Sequence, residues 1–136
     1  LARIRPELPA AAVRRTSERL SSEAETPDRV VTHGDLGPEH ILVDPATHAV
    51  TGVIDWEDVG PWEAAGDFVG LWAELGEPAL QAALDAYGPA FDERLAGRVR
   101  FHATRWMLHQ VKTSEDGWKP GDRDRWIARI VERSER

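Results

Sequence analysis

Between residues 29 and 54 the chain alternates between short β-branched runs and turn-forming residues, and this pattern constrains the fold more than any other feature. Residues 29–33 hold Val30, Val31 and Thr32. Residues 40–44 hold Ile41, Leu42 and Val43, and residues 50–54 hold Val50, Thr51, Val53 and Ile54. Side chains of this kind favour extended backbone. The second and third runs are joined by Asp44-Pro45-Ala46-Thr47-His48, which has turn chemistry, so an antiparallel hairpin is predicted. A loop at 34–39, rich in Gly and Pro, separates the first run from the second.

The flanks read as helices. Residues 9–22 place Ala10, Val13, Ser17 and Leu20 at helical spacing after Pro9, and 21–28 form a polar turn or linker with Pro27. Residues 56–66 read as irregular because Gly60, Pro61 and Gly66 interrupt them. Asp67 is then placed to cap a helix carrying Phe68, Leu71, Trp72 and Leu75, with Gly76 and Pro78 marking its stop and a restart. Further helices are predicted at 79–87, 91–111 and 122–131. The second presents Leu95, Val99, His102, Trp106, Leu108 and His109 on one broad face, and the third turns Trp126, Ile127 and Ile130 inward. The predicted class is α+β and mostly helical, with a small three-strand patch.

The length of 136 residues suits one domain, taken as 1–136. No stretch is apolar enough to span a membrane, and the opening residues lack the apolar core of a signal peptide. The chain has no cysteine, which excludes disulfides and thiolate metal sites and suits a reducing, cytoplasmic setting. A net charge of −7 disfavours a nucleic-acid partner and favours cationic ligands, although a solvated acidic surface explains it equally simply.

Chemistry concentrates where the strands meet. Asp35 lies in the loop after the first run, His40 opens the second, and Asp55 closes the third. The hairpin should bring Asp55 back towards Asp35, so that two carboxylates and an imidazole converge. Phosphoryl transfer uses such a set: one carboxylate takes the proton of the attacking hydroxyl, and another helps hold a divalent cation on the phosphates.

These residues carry a resemblance. His33-Gly34-Asp35-Leu36, followed by a metal-ligand position at His40, resembles the catalytic loop H-x-D-x-x-x-x-N of kinase-fold enzymes, in the form with Gly after His that marks aminoglycoside phosphotransferases. Ile54-Asp55-Trp56-Glu57 is similar to that family's counterpart of the D-F-G segment, and Gly66-Asp67-Phe68 to the segment that braces the catalytic loop. The chain thus resembles the C-terminal lobe of an aminoglycoside or macrolide phosphotransferase, a protein-kinase-like fold.

The resemblance implies roles. Asp35 would be the catalytic base, Asp55 and His40 metal ligands, and His33 and Asp67 supports of the loop. Residues 29–57 would hold the catalytic and metal-binding loops, and 67–136 the helical substrate side. Mg²⁺ and ATP or GTP are the implied cofactors, a small hydroxylated molecule the substrate, and the N-terminal lobe of the parent protein the missing partner. The family's phosphate-covering loop and its Lys are not found here, since the only lysines are Lys112 and Lys119. The fragment alone is therefore expected to be inactive.

His40 stands where Asn is usual. It suits Mg²⁺ less well than an amide oxygen, is familiar from the macrolide branch, and also fits a non-catalytic, kinase-like binding or regulatory module. It reads as well as a plain strand histidine. Glu57 and Asp58 are candidates to face a cationic substrate, or simply a solvated loop. Trp106 is the candidate for substrate stacking; Trp72, Trp118 and Trp126 read as core or groove-lining, and His102 and His109 as packing residues. A metal-dependent phosphohydrolase using Asp35, His40 and Asp55 is the third and weakest functional reading.

Overall fold

The computed structural model describes residues 11, 14–15, 29–88, 93–115 and 122–134. The predicted helix at 9–22 and turn at 21–28 lie outside these residues, apart from helical backbone at Ala11, Arg14 and Arg15. So do Trp118 and Asp116. The chain divides into two compact units, one of residues 25–102 and one of 1–24 with 103–136.

Among the described residues of the first of these lie four strands: β1 (Arg29–Thr32), β2 (Ile41–Val43), β3 (Val50–Val53) and β4 (Gly60–Glu63). β2 and β3 form the predicted antiparallel hairpin, with Ile41 opposite Val53 and Leu42 opposite Gly52. Its turn is built on Asp44, whose Oδ1 accepts the amides of Ala46 and Thr47, both at 2.8 Å. His48 completes it at φ 57°.

The single three-strand patch is corrected to two two-stranded sheets, β1–β4 and β2–β3. β4 falls in the stretch read as irregular. It pairs with β1 so that Val30 faces Trp62, Val31 faces Pro61 and Thr32 faces Gly60. Gly60-Pro61 looks like a breaker, but among the described residues β4 pairs with β1 alone, and an edge strand tolerates a residue without an amide proton.

Four α-helices follow: α1 (Val69–Leu75), α2 (Glu77–Tyr87), α3 (Glu93–Glu115) and α4 (Arg123–Ser134). Gly76, at φ 86°, ends α1 by donating its amide to the Trp72 carbonyl at 2.9 Å, as the Gly76–Pro78 break predicts. The expected cap at Asp67 is corrected: a 3₁₀ turn (Ala64–Phe68) precedes α1, and no side chain caps the helix. The Asp67 carboxylate is committed elsewhere.

Within 25–102 the buried apolar side chains include Trp72, Leu80, Val99 and Phe101, packed with Ala65, Ala73 and Ala96. A polar chain ties three helices there: the Trp72 indole N–H donates to Glu77 Oε2 at 2.8 Å, and Arg100 binds Glu77 and Glu93. These carboxylates hold the Arg100 guanidinium above its usual pKa, against the opposing effect of burial. Along α3 the buried stripe is Ala96, Val99, Ala103 and Met107, at spacings of three and four. Of the predicted face Val99 is buried, Leu95, His102, Trp106 and Leu108 are part-buried, and His109 is exposed. In the other unit Trp126, Ile127 and Ile130 are buried, as expected from their spacing on α4. Among the described residues no helix is long and apolar enough to cross a membrane.

Candidate active site

The loop between β1 and the 3₁₀ turn Pro38–His40 carries Asp35, and four contacts fix its path. The Asp67 carboxylate accepts the His33 amide at 2.9 Å through Oδ2 and the Gly34 amide at 3.0 Å through Oδ1. The His33 ring, almost fully buried, has its Nε2 2.8 Å from the Ile54 carbonyl, and its Nδ1 lies 3.4 Å from the Asp35 amide. Both contacts are satisfied by one tautomer, with Nε2 donating and Nδ1 accepting. Gly34 sits at φ +90° with the Asp58 carbonyl where a Cβ would stand, so only glycine fits both conformation and space.

These bonds leave the Asp35 side chain exposed at the loop's apex. Among the described residues nothing hydrogen-bonds its carboxylate.

His40 joins the two acidic positions. Its Nδ1 donates to the Asp35 carbonyl at 2.8 Å, and its Nε2 stands 3.4 Å from Asp55 Oδ2. The hydrogen bond to Asp35, with the carboxylates of Glu39, Asp55 and Asp35 nearby, raises the ring's pKa above 6.5 despite some desolvation. Asp55 follows β3 at φ 67°, with its side chain half exposed. The hairpin therefore does bring the 55 position back to the 35 loop, through an imidazole bridge. Ile54 anchors the return, since its amide donates to the His40 carbonyl at 3.0 Å.

This donor set fits a small cation. With Nδ1 carrying the ring proton, the Nε2 lone pair of neutral His40 and an Asp55 oxygen are two electron-pair donors 3.4 Å apart. Among the described residues no three His, Asp or Glu side chains form a metal-binding group by themselves. Mg²⁺ in phosphoryl-transfer sites is ordinarily held by one or two carboxylates together with waters and phosphate oxygens, so Asp55 fits that pattern and the His40 imidazole fits it less well.

The other predicted residues fall as follows. Glu57 and Asp58 are exposed on the loop between β3 and β4. Trp106 packs edge to face on Trp126, with ring centroids 4.8 Å apart. His102 is corrected from a packing residue to a polar cross-link: its Nε2 lies 2.8 Å from Glu63 Oε2. Arg98 grips the same carboxylate through Nε and Nη2. Burial would raise the Glu63 pKa, but the bonds from Arg98 and His102 together hold it below 4.5. His109 is exposed.

Sequence reasoning undervalued Glu63 and Trp56. Glu63 ties the end of β4 to α3, and its only signal was an acidic residue flanked by small and apolar ones. The Trp56 ring tilts against His33 with centroids 4.7 Å apart while its indole N–H donates to the Val53 carbonyl at 2.9 Å. A cavity of about 420 Å³ lies behind the loop, lined by Leu36, Pro38, Ile41, Phe68, Leu71 and Tyr87 among others. It does not include Asp35, His40 or Asp55.

A strand-borne loop presenting an exposed carboxylate, braced by one acidic residue and bridged to a second, is set in the C-terminal-lobe fold of a kinase-like phosphotransferase. Residues 2–102 match the phosphotransferase enzyme family, APH, and the chain belongs to that family.

The chain is 41% identical over 81 residues to an aminoglycoside 3'-phosphotransferase of Streptomyces ribosidificus, covering 57% of this chain and 28% of that protein. It is 37% identical over 83 residues to a viomycin phosphotransferase of Streptomyces vinaceus, covering 60% and 29%. Among solved structures it is similar to the GDP and kanamycin complex of APH(2")-IIia, with TM-score 0.69 and 20% identity over 98% of this chain and 46% of that one. It is likewise similar to macrolide 2'-phosphotransferase type I, with TM-score 0.60 and 24% identity over 92% and 42%. The matched region is thus about a quarter of the curated relatives' length.

Proposed function

We propose that these residues form the catalytic-loop half of an O-phosphotransferase that moves the terminal phosphoryl group of ATP or GTP to a hydroxyl of a small molecule, such as an aminoglycoside, a macrolide or a related metabolite. The observation that carries this reading is the exposed Asp35 carboxylate on a loop pinned by Asp67 and linked through His40 to Asp55.

In this reading Asp35 orients the acceptor hydroxyl and receives its proton as the new P–O bond forms and the nucleoside diphosphate departs. Asp55 and His40 would hold Mg²⁺, which when bound neutralises phosphate charge. His33 and Asp67 touch no reactant; they keep the Asp35 backbone still, and positioning supplies much of the rate in such reactions. Glu57 and Asp58, exposed on the loop after β3, offer negative charge to a cationic acceptor. The matched region is only about a quarter of the relatives' length, and in this reading the 136 residues alone would turn over little.

The test is transfer of labelled γ-phosphate from ATP and from GTP to panels of aminoglycosides and macrolides by the full-length protein. Labelled product with at least one acceptor is expected, and it should vanish on chelation of Mg²⁺. Failure of Mg²⁺–nucleotide to bind at all, with Asp55→Ala making no difference, would instead support a non-catalytic kinase-like module, the reading that His40 in place of Asn favours.

A further inference from the structure

Gly70, the second residue of α1, is unexplained by anything above. Glycine is disfavoured inside a helix, so its presence there needs an opposing reason. A Cβ at Gly70 would lie 2.8 Å from the Leu36 carbonyl oxygen and 3.2 Å from the Gly37 Cα. Both are backbone atoms of the loop that carries Asp35, and backbone held in this way cannot swing aside as a long side chain would. Gly97 in α3 offers the contrast, since a Cβ there meets nothing within 4 Å.

The loop is held on both sides of Asp35. Before it, the amides of His33 and Gly34 are bound by Asp67. After it, Leu36 and Gly37 rest on Gly70, one helical turn beyond Asp67. We infer that Gly70 is a positioning residue for phosphoryl transfer: by lacking a side chain it sets how closely the Asp35 loop seats on α1. This rests on the reading of Asp35 as the base. A Cβ at position 70 would push out the 36–37 backbone while Asp67 retains 33–34, which tilts the Asp35 peptide rather than shifting the loop as a body.

The experiment compares Gly70→Ala with the helical control Gly97→Ala in the full-length enzyme. Gly70→Ala should lower kcat by about a hundredfold, the penalty expected of a misplaced catalytic group, while leaving KM for nucleotide and acceptor close to that of the control. Amide hydrogen exchange at residues 33–37 should quicken in Gly70→Ala and not in Gly97→Ala, with similar melting temperatures. The exchange measurement needs no turnover, so it tests the seating of the loop on Gly70 separately from the proposed activity, and the kcat measurement tests the activity. Unchanged exchange at 33–37, a rise in KM with kcat intact, or global unfolding of Gly70→Ala would each overturn the positioning role.

Discussion

The loop at 33–37 and the hairpin turn at 44–48 each place an aspartate between two strands, and they use it in opposite ways. Asp44 turns its carboxylate inward onto the amides of Ala46 and Thr47, which hold its pKa below the usual value. It makes its own turn. The Asp35 carboxylate makes no hydrogen bond to its loop: the local amides are bound by Asp67, which comes from a different element, and by the His33 ring. A turn that stabilises itself consumes its carboxylate, whereas a loop braced from outside leaves one available for chemistry. The difference separates an aspartate spent on its own turn from one left exposed, as the proposed base must be, and it is invisible in the turn propensity of either segment.

Removing the external brace should have the largest effect. Asp67→Ala leaves the His33 and Gly34 amides without their acceptor and should destabilise the chain by about 2 kcal/mol, measured by denaturant unfolding. It should lower kcat as well; stability lost without any loss of kcat would break the comparison. Gly34→Ala forces a side chain into positive φ and onto the Asp58 carbonyl, at a cost of about 1–3 kcal/mol by the same measurement.

Glu63 braces β4 from α3 and gives the comparison a pH test. Its carboxyl is held below 4.5 in the fold, so its contribution is full above that value and is lost as the pH falls through the folded pKa. Glu63→Gln should cost about 1–3 kcal/mol near neutrality and should flatten the acid limb of a melting-temperature profile. An unchanged acid limb would remove Glu63 from the account. The smallest effect belongs to the self-made turn. Asp44→Ala should lower the melting temperature slightly and leave kcat unchanged, because residues 45–48 of the turn are exposed and its carboxylate bonds lie within the turn itself.

The hairpin, the helix breaks at Gly76 and the inward set Trp126, Ile127 and Ile130 were legible in the sequence because each rests on local spacing or turn chemistry. β4 was not, because Gly60-Pro61 signals a break and only the partner strand reveals an edge that tolerates proline. The role of Asp67 was visible only through family resemblance; a helix cap was the local reading, and the structure sends its carboxylate to residues 33 and 34 positions away. His102 and Glu63 stand 39 residues apart, beyond any periodicity argument. Asp35, His40 and Asp55 could be named in advance because the hairpin that unites them is itself local.

The central claim is that Asp35, alone among the braced residues of its loop, has its carboxylate held ready for the acceptor hydroxyl. Steady-state kinetics of Asp35→Asn in the full-length enzyme test it most directly. The account predicts a fall in kcat of about a thousandfold or more, with KM and melting temperature close to those of the unsubstituted protein. Turnover retained within about tenfold, in a variant with the same fold, would contradict it.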